Sequence, residues 1–195
     1  MIEIYKSQAS FREKDFEYVW TGQTCRCWRV RFNHSVEEVT REPMEEGQQP
    51  YTETVYSCDY ADFYAPFSYN PASALQLAKD IAIQNITEYD NSDAVNQFYY
   101  GNMPMWLNKD TRVGLMNSTN ITKVAGQNDT TLWLGEQSFT IPCDTAIQML
   151  SQLELYALAC YNKTAEHKKA IDEMNSVDDV MNYNFKTGYP EKLHF

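Results

Sequence analysis

Five cysteines and three histidines are the side chains of this 195-residue chain best suited to nucleophilic or metal chemistry. Their spacing argues against both uses. Cys25 and Cys27 flank one residue in a segment that alternates like a strand, so both side chains share a face and a bridge between them would be strained. Neither that pair nor its distance to Cys58 repeats the paired spacing of a zinc site, and no His pair accompanies them. His34, His167 and His194 stand on a loop, a helix and the far C-terminus, with no neighbour in sequence that makes any of them a base or a ligand. A Cys–His pair assembled in space is the one nucleophilic reading left open. An odd number of cysteines without an export signal argues for reduced thiols over a disulfide framework.

The other polar signals are equally plain. Asp59, Asp62, Asp90 and Asp93 form no loop of calcium-ligand spacing, and the glycines are isolated, so no phosphate-cradling loop is present. Sequons at Asn33, Asn85, Asn117, Asn120, Asn128 and Asn162 mostly restate that the chain is rich in Asn and Thr. The expectation is no catalytic residue, no metal and no cofactor.

Contact chemistry is better represented. Tyr56, Tyr60, Phe63, Tyr64, Phe67 and Tyr69 crowd one stretch more densely than a small core requires, and protein-interface burial suits them better than stacking on a sugar. Further on, Ala146, Leu150, Leu153, Ala157, Cys160, Thr164, His167, Ile171 and Met174 follow one another at steps of four and three, a heptad stripe. It suits a seam between subunits, with Thr164 and His167 as polar layers, or the core face of a helix on its own sheet. Ile147, Met149, Leu155, Leu158 and Tyr161 widen the apolar surface and favour the core. The candidate interface residues are Leu150, Leu153, Ala157, Cys160, Thr164, His167 and Ile171 on the stripe, with Tyr60, Phe63, Tyr64 and Phe67 from the aromatic cluster.

The elements that must position these residues read as α+β: an N-terminal antiparallel β region, then helices with a β-hairpin and a long C-terminal helix. Alternation in Cys25 to Phe32 and in Thr52 to Tyr60 predicts two strands, each burying one side, with Trp28 and Val30 or the cysteines inward. Residues 42–50, acidic and bracketed by Pro43 and Pro50, make the loop between them. Asn70-Pro71 predicts a helix over about 71–88, with Leu75, Ala78, Ile81, Ala82 and Ile86 at helical spacing. Residues 95–100 read as a short strand. Asn108 caps a helix of about 109–124 that Gly126 stops, and Leu132, Leu134, Phe139 and Ile141 flank a hairpin turn at Gly135-Glu136-Gln137. Trp106 and Trp133 read as core fillers. The long helix runs from Asp144 toward Asn175, and Ser176 starts a short last one. Two domains are expected, a β-rich 1–70 and an α+β 71–195.

Composition bounds the partners. A net charge of −11 repels phosphate backbones, and Lys and Arg are dispersed, which argues against nucleic acid. No apolar run approaches the roughly 20 residues of a membrane helix, and Met1 to Lys6 lacks the pattern of a signal peptide. The expected chain is folded, has no membrane span, and stays where it is made or leaves inside an assembly.

In the C-terminal part, the series Trp106-Leu107-Asn108-Lys109-Asp110-Thr111-Arg112-Val113-Gly114-Leu115, Thr131-Leu132-Trp133-Leu134, Leu155-Tyr156-Ala157-Leu158-Ala159-Cys160-Tyr161-Asn162 with His167, and Gly188-Tyr189-Pro190-Glu191-Lys192-Leu193 resembles an uncharacterised domain family of phages and prophages of gut bacteria. The resemblance covers about residues 80–195. That family tends to lie near tail and tail-fibre genes and has no assigned activity, so the resemblance implies a setting and no catalytic residues. The resulting expectation is a non-enzymatic virion protein of the tail or neck-to-fibre region. It is made in the host bacterial cytoplasm and acts as a homo-oligomeric connector with other tail or fibre proteins as partners. A tail-fibre assembly chaperone is the alternative, and a glycan-binding receptor module the third.

Overall fold

The computed structural model describes residues 1–22, 25–42, 49–134 and 137–195. Among the described residues the architecture is mixed α+β: an N-terminal four-stranded antiparallel sheet, two strand hairpins further on, and four helices that include a long one near the C-terminus. No helix among the described residues is long and apolar enough to cross a membrane. The chain divides into two compact units, Met1–Asn85 with Lys168–Asn184, and Ile86–His167 with Phe185–Phe195. This differs from a cut at residue 70, because residues 71–85 and 168–184 belong with the N-terminal sheet.

In the first unit the sheet order is β1 (Ile4–Ala9), β4 (Tyr51–Phe63), β3 (Cys25–Arg41), β2 (Phe16–Thr21). The two strands expected from alternation are β3 and β4. The sequence signal missed β1 and β2, which pair onto their outer sides. Between Phe32 and Ser35 the β3–β4 register shifts at a bulge where Asn33 takes a positive φ of 52°. Trp28, Val30 and Phe32 share a face with their partners Phe63, Ala61 and Asp59. Burial here is not one-sided, since Cys27, Val30, Arg31 and Phe32 are all 3 % exposed or less. Arg31 tolerates burial because Glu13 and Glu17 pair with its guanidinium, at 2.9 and 2.8 Å, and Lys14 O accepts a further bond. Beyond the bulge β3 and β4 continue as a ribbon with Arg41 and Glu53 paired at 2.7 Å. Most of the 42–50 loop expected between them, residues 43–48, lies outside the described residues.

Helix α1 (Ala74–Asp90) starts three residues after the Asn70-Pro71 signal. Ser73 makes the start: its Oγ accepts from Gln76 N–H at 3.2 Å and its carbonyl from Leu77 N–H at 3.1 Å. Leu77, Ala78, Ile81 and Ala82 are buried, and Leu75 is only half-buried. The short α4 (Val177–Met181) begins with Ser176 Oγ accepting from Asp179 N–H. Its Asp178 carboxylate accepts from Asn33 N–H at 2.9 Å, and Asn182 exchanges amide bonds with Asn33, so the bulge is stitched to this helix.

In the second unit β5 (Phe98–Tyr100) and β6 (Met103–Met105) turn at Gly101, whose φ of 57° suits glycine. The expected 95–100 strand is thus half as long, and β6 carried no sequence signal. The C-terminus joins this hairpin. Tyr99 N–H donates to Leu193 O and Phe195 N–H to Tyr99 O, and the His194 ring stacks on Tyr99 at 4.7 Å. Helix α2 (Lys109–Val124) matches expectation, with Asn108 Oδ1 accepting from Thr111 N–H and Gly126 in the left-handed region after it. β7 (Asp129–Leu134) and β8 (Gln137–Pro142) form the expected hairpin, although Gly135 and Glu136 of its turn lie outside the described residues. Helix α3 (Cys143–Glu173) brings Ala146, Met149, Leu150 and Leu153 to a core with Phe98, Leu107, Leu132 and Leu134.

Candidate binding cleft

The second unit holds a cleft of about 530 Å³. Asp90 and Asn91 reach it from the end of α1, Asn96 from the following turn, Trp106 from the approach to α2, and Asn108, Lys109 and Arg112 from its first turns. Glu154, Ala157, Leu158, Cys160 and Tyr161 of α3 complete the wall. The sequence places them so for simple reasons. The Asn108 cap fixes where α2 begins, and residues 154, 157, 158 and 161 recur at the three- and four-residue steps that share a helix face.

Arg112, only 5 % exposed, organises one side. Its Nε donates to Glu154 Oε1 at 2.8 Å, Nη1 to Leu107 O, and its guanidinium lies 5.2 Å from the Trp106 ring centroid. The other side is fixed through Asp90, whose Oδ1 accepts from Thr164 Oγ1 at 2.7 Å while its carbonyl accepts from Asn96 Nδ2 at 2.7 Å. Thr164 and the Tyr189 hydroxyl are 2.9 Å apart, and Tyr156 O–H donates to Val95 O at 2.7 Å. Tyr161 and Leu158 stay open, 68 and 54 % exposed. The result is a hydrogen-bonded, ion-paired wall beside an aromatic and an aliphatic side chain, a surface suited to recognition.

Burial sets the protonation of two side chains that covalent chemistry could use. Burial pushes the Cys160 thiol up from its ordinary value, so it stays protonated at neutral pH. Burial likewise pushes the His167 ring down, against the opposing effect of its bond to Thr187 O, with Nε2 3.0 Å away. In the first unit burial raises Cys27 to about 11 and raises Cys58. No cluster of three metal-ligating side chains of the His, Cys, Asp and Glu types occurs among the described residues.

The expected interface residues separate into three groups. Leu150, Leu153, Cys160, Thr164, His167 and Ile171 are 5 % exposed or less, and Ala157 is half-buried in the cleft wall. The stripe is therefore filled by packing within this chain and offers no seam to a second subunit. Leu150 and Leu153 lie in the core of the second unit, Thr164 and His167 are bonded to Asp90 and Thr187, and Ile171 is buried in the first unit. Of the aromatic cluster, Phe63 is buried against Tyr69, ring centroids 5.3 Å apart. Tyr60 is half-buried between Tyr5 at 5.4 Å and the Arg29 guanidinium at 4.0 Å. Only Tyr64 and Phe67 remain available, 62 and 96 % exposed.

The exposed apolar surface lies elsewhere. Leu155, Leu158 and Tyr161, expected to widen the core face, point away from it. Trp106 is half-buried, whereas Trp133 is 63 % exposed because strand alternation sends Leu132 and Leu134 inward and Trp133 out. That alternation was present in Leu132-Trp133-Leu134 and would have assigned Trp133 correctly. No protein-family model, curated protein or solved structure matches this chain.

Proposed function

We propose that this chain is a non-enzymatic virion component of a phage tail or neck-to-fibre region, a connector that joins or positions fibre proteins in an oligomeric assembly. It is made in the host bacterial cytoplasm and carried in the particle. The observation that carries the reading is the middle of α3. Leu155, Leu158 and Tyr161 stand 67, 54 and 68 % exposed, while Leu153, Tyr156 and Cys160 of the same turns are buried. Covering a large apolar side chain is worth roughly 1.5–3 kcal/mol, so three left open on one helix favour a protein partner. The cleft beside them supplies the polar margin that such interfaces carry, in Lys109, Asn91 and the Arg112–Glu154 pair. The tail setting is supplied by the resemblance of the Trp106 to Leu115, Leu155 to Asn162 and Gly188 to Leu193 segments.

The test is incorporation. The double variant Leu155→Asp/Tyr161→Asp changes only exposed side chains, and its stability should stay within about 1 kcal/mol of wild type. Supplied in trans during infection, the tagged wild-type chain is expected in purified particles and the folded variant is expected to be missing from them. Incorporation of the variant at the wild-type level would overturn the assignment of this face.

A further inference from the structure

The outer edge of β2 has hydrogen-bonding groups to spare. Among the described residues β2 ends the sheet and pairs only with β3, in a register from Phe16↔Val30 to Thr21↔Cys25. One step beyond, Arg31 N–H donates to Asp15 O at 2.7 Å, so that pair is hydrogen-bonded. Bonded and non-bonded pairs alternate along an antiparallel ladder. Glu17, Val19 and Thr21 therefore turn their backbone groups toward β3, and Phe16, Tyr18 and Trp20 turn theirs outward. Among the described residues, no backbone or side-chain group bonds to the outward N–H and C=O of those three.

Nothing in the strand defends this edge. Phe16-Glu17-Tyr18-Val19-Trp20-Thr21 has no Lys, Pro or Gly and pairs without a bulge, whereas β1, the opposite edge, carries Lys6. Tyr18 and Trp20 are 42 and 58 % exposed on one face, with the Arg26 guanidinium 3.8 Å from the Trp20 ring and 5.7 Å from the Tyr18 ring. Alternating backbone donors and acceptors at strand spacing select an extended strand as the occupant.

We propose that β2 is a self-association edge, on which β2 of a second copy of this chain pairs antiparallel about a two-fold axis through Val19. In that register Tyr18 of each copy meets Trp20 of the other, both outward-facing, and each pair exchanges both backbone bonds. On the opposite face Val19 meets Val19 and Glu17 meets Thr21. No like charges face each other, although the chain carries a net −11, and the one acidic residue of β2, Glu17, is paired with Arg31 at 2.8 Å. The match covers the two exposed aromatic rings with each other, which an arbitrary strand would not do. The proposal rests on the sheet edge and stands apart from the connector reading.

Sedimentation of the full chain over a range of concentrations, with residue-resolved amide exchange, tests it. A concentration-dependent dimer is expected, in which the Tyr18 and Trp20 amides gain protection as the dimer forms. Tyr18→Pro removes an outward N–H and no bond to β3, and Val19→Asp sets two carboxylates opposite each other at the axis. Both are expected to be folded monomers, and if the proline variant fails to fold, Val19→Asp and the amide exchange still decide. A wild-type monomer at every concentration would overturn the proposal, including one that captures a strand of another protein. So would a dimer that persists in Val19→Asp or leaves the Tyr18 and Trp20 amides unprotected.

Discussion

His167 is 3 % exposed, lies 5.6 Å from the Tyr189 ring and has Nε2 3.0 Å from Thr187 O, an environment that suits a neutral imidazole donating one bond. Burial lowers its pKa below the ordinary value of 6.5, with Lys163 adding to the shift and Glu166 opposing it. The unfolded chain then binds more protons at this group than the folded one, so its contribution to stability is complete above about 6.5 and is lost as pH falls through the lower folded value. The melting temperature is expected to fall between pH 7 and pH 5, and His167→Gln should shrink that fall; an equal fall in the variant would show that His167 titrates normally. Sequence spacing gave His167 no chemical neighbour within its own segment, yet Lys163 and Glu166 of the same helix act on its charge. Its Thr187 partner lies 20 residues on, and the partners in the cleft are also distant: Arg112 finds Glu154 42 residues on, and Thr164 finds Asp90 74 residues back. Pairs of that separation leave no periodic mark in a sequence, and for that reason the cleft was not legible.

Helix signals behaved differently at each end of the chain. Asn108 caps α2 where expected because its side chain reaches Thr111 N–H, whereas Asn70-Pro71 carries the same signature and caps nothing. Ser73, closer to the apolar stripe, takes the role at α1. Ser73→Ala is therefore expected to cost about 1 kcal/mol in denaturant unfolding, and Asn70→Ala a few tenths at most. The reverse order would return the helix start to residue 70. Long periodic elements were readable, namely α2, α3 and the β3–β4 pair. The ones missed, β1, β2, β6 and the Leu193–Phe195 bridge to Tyr99, are short, and what makes them strands is a partner far along the chain. On α3 the heptad count was accurate, and the stripe is the core face that the sequence favoured, not the subunit seam that supplied the candidate interface residues. Period alone identifies a buried face, and only the packing of the described chain shows that Leu150, Leu153 and Cys160 are covered from within while Leu155, Leu158 and Tyr161 are not.

At the scale of the whole chain, a strongly acidic protein exposes large apolar side chains in both units: Tyr18, Trp20, Tyr64 and Phe67 in the first, and Val124, Trp133, Leu155 and Tyr161 in the second. Net charge keeps such a molecule apart from others of its kind except where a specific surface matches, so those patches favour defined partners over nonspecific clustering. The two units also share the helices α1 and α3, since each is divided between them, and residues 168–184 complete the unit that the first 85 residues begin. The C-terminal third is thus needed by both units, and the contiguous boundary at residue 70 that the sequence suggested would cut through the first unit. The connector reading assigns the chain to a phage, and its most direct test is quantitative mass spectrometry of purified particles from that phage, scaled to the major capsid protein. A stable copy number at a multiple of three or six is predicted. Absence from particles, with abundance in infected cells, would contradict it and favour an assembly chaperone that acts on the fibre and leaves.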